Sequence, residues 1–179
     1  WGKFMNAGQT CVAPDVVFVP RSRMDAFVAQ CKEQLHAFYG SDAALSDDYG
    51  RIINDSHFSR LEKLLGHGER ILLGGKRSRE TRYFEPTLVT DVPTDSPLQH
   101  EEIFGPILPI LPYESLDEVV QWIRARPKPL AFYLFSRDQR IQERLLNQVE
   151  FGGGCINDTL THLSSPELPF GGVGASGMG

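Results

Sequence analysis

Long apolar runs, paired cysteines and blocks of like charge are all missing from this 179-residue sequence. No apolar run approaches the roughly 20 residues needed to cross a bilayer, so no membrane segment is expected. The 18 basic and 23 acidic side chains are interspersed, with a net charge of −5, and we therefore expect no nucleic-acid partner. The start lacks both an initiator Met and a signal-peptide core, which predicts an entry into the middle of a longer protein.

The few cysteines and histidines also lack the spacing of a metal site or a disulfide framework. Cys11, Cys31 and Cys155 are odd in number and contain no C-x-x-C pair. This pattern favours a reducing compartment, and we expect a cytoplasmic location. The histidines are predicted to be surface or core residues, with no bound metal: His36, His57, His67, His100 and His162.

Strand and helix signals alternate along the chain. Ser22 is predicted to cap a helix that ends at Gly40. A second helix is predicted to begin after Asn54 or Asp55, and a third after Ser115. A further helix carries Ile141, Leu145 and Leu146. Short apolar runs predict strands at 16–19, 71–73, 87–89, 107–111 and 130–135, the last of them buried on both faces. The alternation predicts an α/β fold, with a largely parallel open sheet, helices on both faces and one domain over residues 1–179.

Cys11 is the strongest candidate for a catalytic residue in the sequence. It follows the small and polar residues Asn-Ala-Gly-Gln-Thr, which show no apolar periodicity, whereas Cys31 lies on the apolar face of a predicted helix. Core cysteines have apolar neighbours, while a nucleophilic thiol needs access from a loop. On composition alone a single cysteine is more often structural, and the loop setting favours catalysis.

Three segments of the chain resemble aldehyde dehydrogenases. Residues 2–14, Gly-Lys-Phe-Met-Asn-Ala-Gly-Gln-Thr-Cys-Val-Ala-Pro, look like the family's active-site segment, with Cys11 at the nucleophile position. Residues 102–106 are similar to its E-x-F-G-P segment, and residues 169–177 to its glycine-rich closing segment. The three segments occur in the family's order. The residues around Asn6 most resemble the class-three and fatty-aldehyde branch of the family.

The resemblance implies an NAD- or NADP-dependent oxidation of a small aldehyde to a carboxylic acid. Cys11 would form a hemithioacetal and then a thioester, which is hydrolysed. Glu102 would accept hydrogen bonds from the nicotinamide ribose, and Phe104 would pack on the nicotinamide. Phe170 would line the aldehyde tunnel, and Asn157 would lie near the site mouth. Without the resemblance, Glu102 would be a solvated acid beside Glu101, and the two phenylalanines would be core residues.

Gly172, Gly174 and Gly177 match the dinucleotide pattern G-x-G-x-x-G, but no strand precedes them and no helix can follow. We therefore predict a turn-rich loop there. The resemblance implies that the dinucleotide-binding domain, the general-base Glu, the oxyanion Asn and the oligomerisation arm lie outside this chain. The isolated chain is then expected to be inactive, and the parent protein to be a homo-oligomer.

Two other interpretations stay open. A reductive, coenzyme-A-acylating relative needs no water-activating Glu, although the complete Glu-x-Phe-Gly-Pro segment at 102–106 favours the hydrolytic branch. A natural truncation could instead serve as a non-catalytic module. The intact Cys11 segment argues against that alternative.

Overall fold

The structure, a computed structural model, describes residues 1–178 and divides into two compact units. The first spans Trp1–Tyr113 and the second begins at Glu114. The sequence shows no composition shift at this boundary, and the division was not expected. That the two units act together as one catalytic domain stays a prediction.

A four-stranded sheet forms the centre of the first unit. Its strands are β1 (Val17–Pro20), β2 (Arg70–Leu73), β5 (Thr87–Thr90) and β6 (Ile107–Tyr113), in the order β1-β6-β5-β2. β6 pairs in parallel with both β1 and β5, whereas β2 runs antiparallel to β5. A short antiparallel pair, β3 (Arg77–Ser78) and β4 (Tyr83–Phe84), lies between β2 and β5 in the chain and was missed from sequence.

Helices pack on both faces of this sheet, as predicted. The face that carries Leu88, Leu108 and Ile110 packs against α1 (Met24–Tyr39) through a series of apolar side chains: Met24, Phe27, Val28, Cys31 and Leu35. The opposite face, with Val89 and Ile107, packs against Phe58 and Leu61 of α2 (Asp55–Lys63). Adjacent strand residues point to opposite faces, so consecutive apolar residues serve two cores.

The helix ends follow their capping residues with one exception. The Asn54 side chain accepts from the backbone N–H of His57 at 2.8 Å and begins α2. Gly40, at φ 77°, ends α1. The prediction that Ser22 caps α1 is wrong, because Ser22 lies inside a 3-10 turn over Arg21–Arg23 that leads directly into the helix.

The second unit contains α3 (Leu116–Arg124), β7 (Ala131–Leu134), α4 (Gln139–Gln148) and β8 (Gly153–Ile156). Ser115 caps α3, as expected. The strand predicted at 130–135 is confirmed as β7, but the prediction that it is buried on both faces is wrong: residues 131–133 are half-buried, and Phe135 is 64% exposed. Within residues 1–178, β7 pairs with β8 alone, in parallel.

Among the described residues, no helix combines the length and the apolar character that a membrane crossing requires.

Candidate active site

The loop before Cys11 has an unusual backbone. Asn6, Ala7 and Gly8 all have positive φ, at 53°, 52° and 73°. Two of these are not glycine, and such conformations cost of order 1–3 kcal/mol each unless their surroundings impose them. They cluster just before Cys11, which makes the loop a candidate functional segment.

Gln9 holds this strained loop in place. Its amide nitrogen donates to the carbonyl oxygens of Asn6 at 3.1 Å and Arg51 at 3.0 Å, and its amide oxygen accepts from the N–H of Ile53 at 3.0 Å. The Asn6 side chain donates in turn to the Gln9 carbonyl at 3.1 Å. These bonds explain why amide side chains flank the loop, and they leave the Cys11 thiol exposed beyond it.

The Cys11 loop packs directly on the 102–106 segment through two glycines. A Cβ at Gly8 would lie 2.3 Å from the carbonyl oxygen of Gly105. A Cβ at Gly105 would lie 2.4 Å from Cδ2 of the fully buried Leu61. A side chain at Gly8 would therefore push the Cys11 loop away from the 102–106 segment, and one at Gly105 would collide with Leu61 of α2.

Asp15 and Arg60 fix the backbone of the 102–106 segment. The Oδ1 atom of Asp15 accepts from the N–H of Ile103 at 3.1 Å. Arg60, on α2, donates to the carbonyl oxygen of Glu102 at 3.0 Å and also to that of Ile103. Three backbone groups in a row are thus held by charged side chains.

His57 holds the next carbonyl. Its Nε2 lies 2.6 Å from the oxygen of Phe104, which can only accept, so Nε2 carries the proton. The Nε of Arg60 donates to Nδ1 of the same ring at 3.3 Å, which agrees with that tautomer. Phe104 itself is at φ 47°, with its ring edge-on to His57 at 5.9 Å.

Sequence reasoning missed Asp15, His57 and Arg60 as site residues. His57 was expected to be a surface or core residue, and its contact is indeed a satisfied one. The spacing of His57 and Arg60 by three on one helix would have placed both on the same face. Nothing in the sequence indicates which loop that face meets.

The Glu102 carboxylate is exposed, and within residues 1–178 it has no hydrogen-bond or ion-pair partner. Loss of solvent raises its pKa above the usual range, and the charge of Asp15 adds to this. Arg60 and Lys3 act in the opposite direction. The group is therefore an acceptor on a fixed backbone, and no donor from the described part of the chain reaches it.

Asn157 and Phe170 belong to the second unit, whereas Cys11, Glu102 and Phe104 belong to the first. The Asn157 amide is occupied: it accepts from the N–H of Ser136 at 2.9 Å and donates to the Ser136 carbonyl at 3.0 Å. Phe170 is 56% exposed. The glycines at 172–177 follow no strand and contain only a three-residue 3-10 turn, Gly174–Ser176, which agrees with a loop.

No group of three or more His, Cys, Asp or Glu side chains suited to share a metal ion occurs within residues 1–178. The α/β fold thus places a strained loop, which leads to the exposed Cys11, against a segment whose backbone is held by charged side chains.

Comparison with known proteins gives the family. The model of the aldehyde dehydrogenase family matches residues 1–179. The chain is 54% identical over 180 residues to the 4,4'-diaponeurosporen-aldehyde dehydrogenase of Staphylococcus aureus, across 100% of this chain and 39% of that protein. It is 47% identical over 179 residues to the dimeric NADP-preferring aldehyde dehydrogenase of Rattus norvegicus, with the same coverage of 100% and 39%.

A solved structure supports the same family assignment. The substrate-bound state of Staphylococcus aureus AldH superposes with a TM-score of 0.95 at 53% identity, over 99% of this chain and 39% of that one. The chain belongs to the aldehyde dehydrogenase family. Its resemblance to the class-three branch is also confirmed, and it spans about 39% of the length of these relatives.

Proposed function

We propose that this chain carries the nucleophile and part of the nicotinamide site of an NAD(P)-dependent aldehyde dehydrogenase. The observation that carries the proposal is the backbone contact between Gly8 and Gly105, which joins the loop of Cys11 to the segment of Glu102. A covalent oxidation needs its nucleophile and its hydride acceptor held at fixed separation. Two glycines in direct contact give that constraint.

In the proposed chemistry, the Cys11 thiolate attacks the aldehyde carbonyl and forms a hemithioacetal. The backbone N–H of Cys11 is one donor to the developing oxyanion. Hydride loss then leaves a thioester on Cys11, and water releases the carboxylic acid. By resemblance, the second oxyanion donor and the base that activates water are supplied by the family's upstream segment, outside residues 1–179.

The residues of the 102–106 segment fit a nicotinamide riboside. The unpaired, exposed carboxylate of Glu102 suits a ribose diol, whose hydroxyls both donate. Phe104 offers an aromatic surface beside it. The nicotinamide, when bound, would accept the hydride. NAD and NADP both remain candidates, and the rat relative is named for its NADP preference.

On the aldehyde side, we propose Phe170 as a lining residue because it is an exposed aromatic side chain. We also propose that Asn157 lies near the mouth of the site. Its role there would be to fix the end of β8, because its amide oxygen and its amide nitrogen both form hydrogen bonds with the backbone of Ser136. A cytoplasmic location is likewise proposed, supported by three cysteines that form no disulfide.

The proposal is tested by cysteine replacement in the full-length protein that contains this chain. Cys11→Ser should lower aldehyde-dependent NAD(P)H formation by a thousandfold or more, on the order expected for loss of a covalent nucleophile. Cys31→Ser is the matched control, because Cys31 packs against the core under α1. Equal activities of the two variants would remove Cys11 from the mechanism.

A further inference from the structure

Lys3 is a buried charge without an adequate set of partners. The residue is 4% exposed, and its Nζ lies 3.6 Å from Oδ1 of Asp15, an ion pair longer than a hydrogen bond. Within residues 1–178, Nζ has no hydrogen-bond acceptor. Burying an ammonium this way costs several kcal/mol unless it is fully compensated. A hydrophobic side chain would stabilise the fold better, so its presence suggests another role.

A single atom of Asp15 connects Lys3 to the 102–106 segment. The same Oδ1 of Asp15 that faces Lys3 also accepts from the N–H of Ile103 at 3.1 Å. The Asp15 side chain is 40% exposed, so water competes for this carboxylate. An ammonium fixed in the interior favours the orientation in which Oδ1 stays inside and holds Ile103.

We propose that Lys3 is a positioning residue: its buried ammonium holds the Asp15 carboxylate against the N–H of Ile103 and thereby fixes the backbone that carries Glu102. The importance of that backbone for a dinucleotide rests on the proposed function. The Lys3–Asp15–Ile103 linkage itself stands on the geometry alone.

The charged groups around Lys3 give the linkage a pH dependence. Asp15 comes just before β1. Glu102 lies in the 102–106 segment, with Glu101 directly before it, and Arg60 and His57 face that segment from α2. Burial lowers the pKa of Lys3 from 10.5 to about 8, although the charges of Asp15 and Glu102 oppose this. Lys3 therefore loses most of its charge between pH 7 and pH 9.

Hydrogen exchange in the full-length protein tests the linkage directly. Peptides that cover 101–105 are measured by mass spectrometry at pH 7 and pH 9, and protection factors remove the intrinsic pH dependence of exchange. We expect protection of the Ile103 amide to fall by about tenfold at pH 9, because about a tenth of Lys3 stays charged one unit above its pKa. Peptides from β6 should not change.

Lys3→Met should show the low protection already at pH 7, with no further loss at pH 9. Lys32→Met, at an exposed position of α1, is the matched control and should behave like the wild type. Equal protection in the wild type and Lys3→Met at pH 7 would overturn the proposal. If Lys3→Met does not fold, the wild type alone decides, since unchanged protection between the two pH values also overturns it.

Titration with NADP at the same two pH values separates this inference from the proposed function. Weaker NADP binding at pH 9 in the wild type, but not in Lys3→Met, supports both. If NADP binds and the protection of Ile103 is independent of Lys3, only the positioning role is overturned. If protection follows Lys3 and neither NADP nor NAD binds at either pH, the linkage stands and the cofactor role of Glu102 is overturned.

Discussion

The three cysteines differ in exposure and in their neighbours. Cys11 is exposed, whereas Cys31 is partly buried, and burial raises its pKa despite the nearby N-terminal charge. The sulfur of Cys155 lies 3.3 Å from Oγ1 of Thr161 and 3.5 Å from Nδ1 of His162. We expect brief iodoacetamide treatment to label Cys11 first, as read by peptide mass spectrometry. Preferential labelling of Cys31 would contradict the assignment of Cys11 as the accessible thiol.

The buried ammonium of Lys3 should lower the free energy of unfolding of this protein. Its pKa is about 8 when folded, against 10.5 as the ordinary value. Between these values the unfolded chain holds more protons than the folded one, so stability rises as the pH goes from 8 to 10.5. At about 1.4 kcal/mol per pKa unit, the penalty below pH 8 is about 3 kcal/mol.

Lys3→Met is therefore expected to raise the free energy of unfolding at pH 7 by up to about 3 kcal/mol, with the gain disappearing near pH 10. Urea unfolding at a series of pH values measures it. A variant that is less stable than the wild type at pH 7 would show that the Lys3 ammonium contributes to stability and carries no net burial penalty.

At the level of elements, the contact between the Cys11 loop and the 102–106 segment is the most sensitive point. Gly8→Ala combines a positive φ with a clash against a backbone carbonyl and should cost about 3 kcal/mol or more. Gly40 is a matched control, because its φ is 77° but nothing lies within 4 Å of its Cβ position. Gly40→Ala should cost only about 1 kcal/mol. Urea unfolding compares the two, and equal losses would mean that the glycine contact is not tightly packed.

The regular elements could be predicted because their signals are local. Periodic apolar residues and capping side chains placed α1 to α4 and the strands β1, β2, β5 and β6 near their observed positions. The pair β3–β4 was missed because strands of two residues carry no pattern. Neither the antiparallel direction of β2 nor the partial exposure of β7 has a local signal in the sequence.

The candidate site was only partly predictable for a related reason. Cys11, Glu102 and Phe104 lie in motifs that are continuous in sequence. The groups that hold them, Asp15 and Arg60, act across 88 and 42–43 positions respectively. Such contacts depend on how the loop before β1 and α2 meet the 102–106 segment, which no local pattern specifies.

On the scale of the whole molecule, the second unit exposes apolar side chains near a sheet of two strands. Phe135 is 64% exposed and Ile156 40% exposed, and each flanks or ends a strand of that sheet. Open strand edges with exposed apolar groups recruit other chains. We expect the isolated chain to self-associate as its concentration rises, measured by light scattering, and Phe135→Ser to weaken this. A monomer at every concentration would show that these surfaces do not drive association.

The most direct test of the account is to find the covalent intermediate. The full-length protein is mixed with an aldehyde and NAD or NADP, quenched in acid within one turnover, digested and examined by mass spectrometry. The account predicts an acyl group, with the mass of the substrate's acid minus water, on the peptide that contains Cys11, and none in Cys11→Ser. An acyl adduct on Cys31 or Cys155, or aldehyde oxidation that persists in Cys11→Ser, would contradict it.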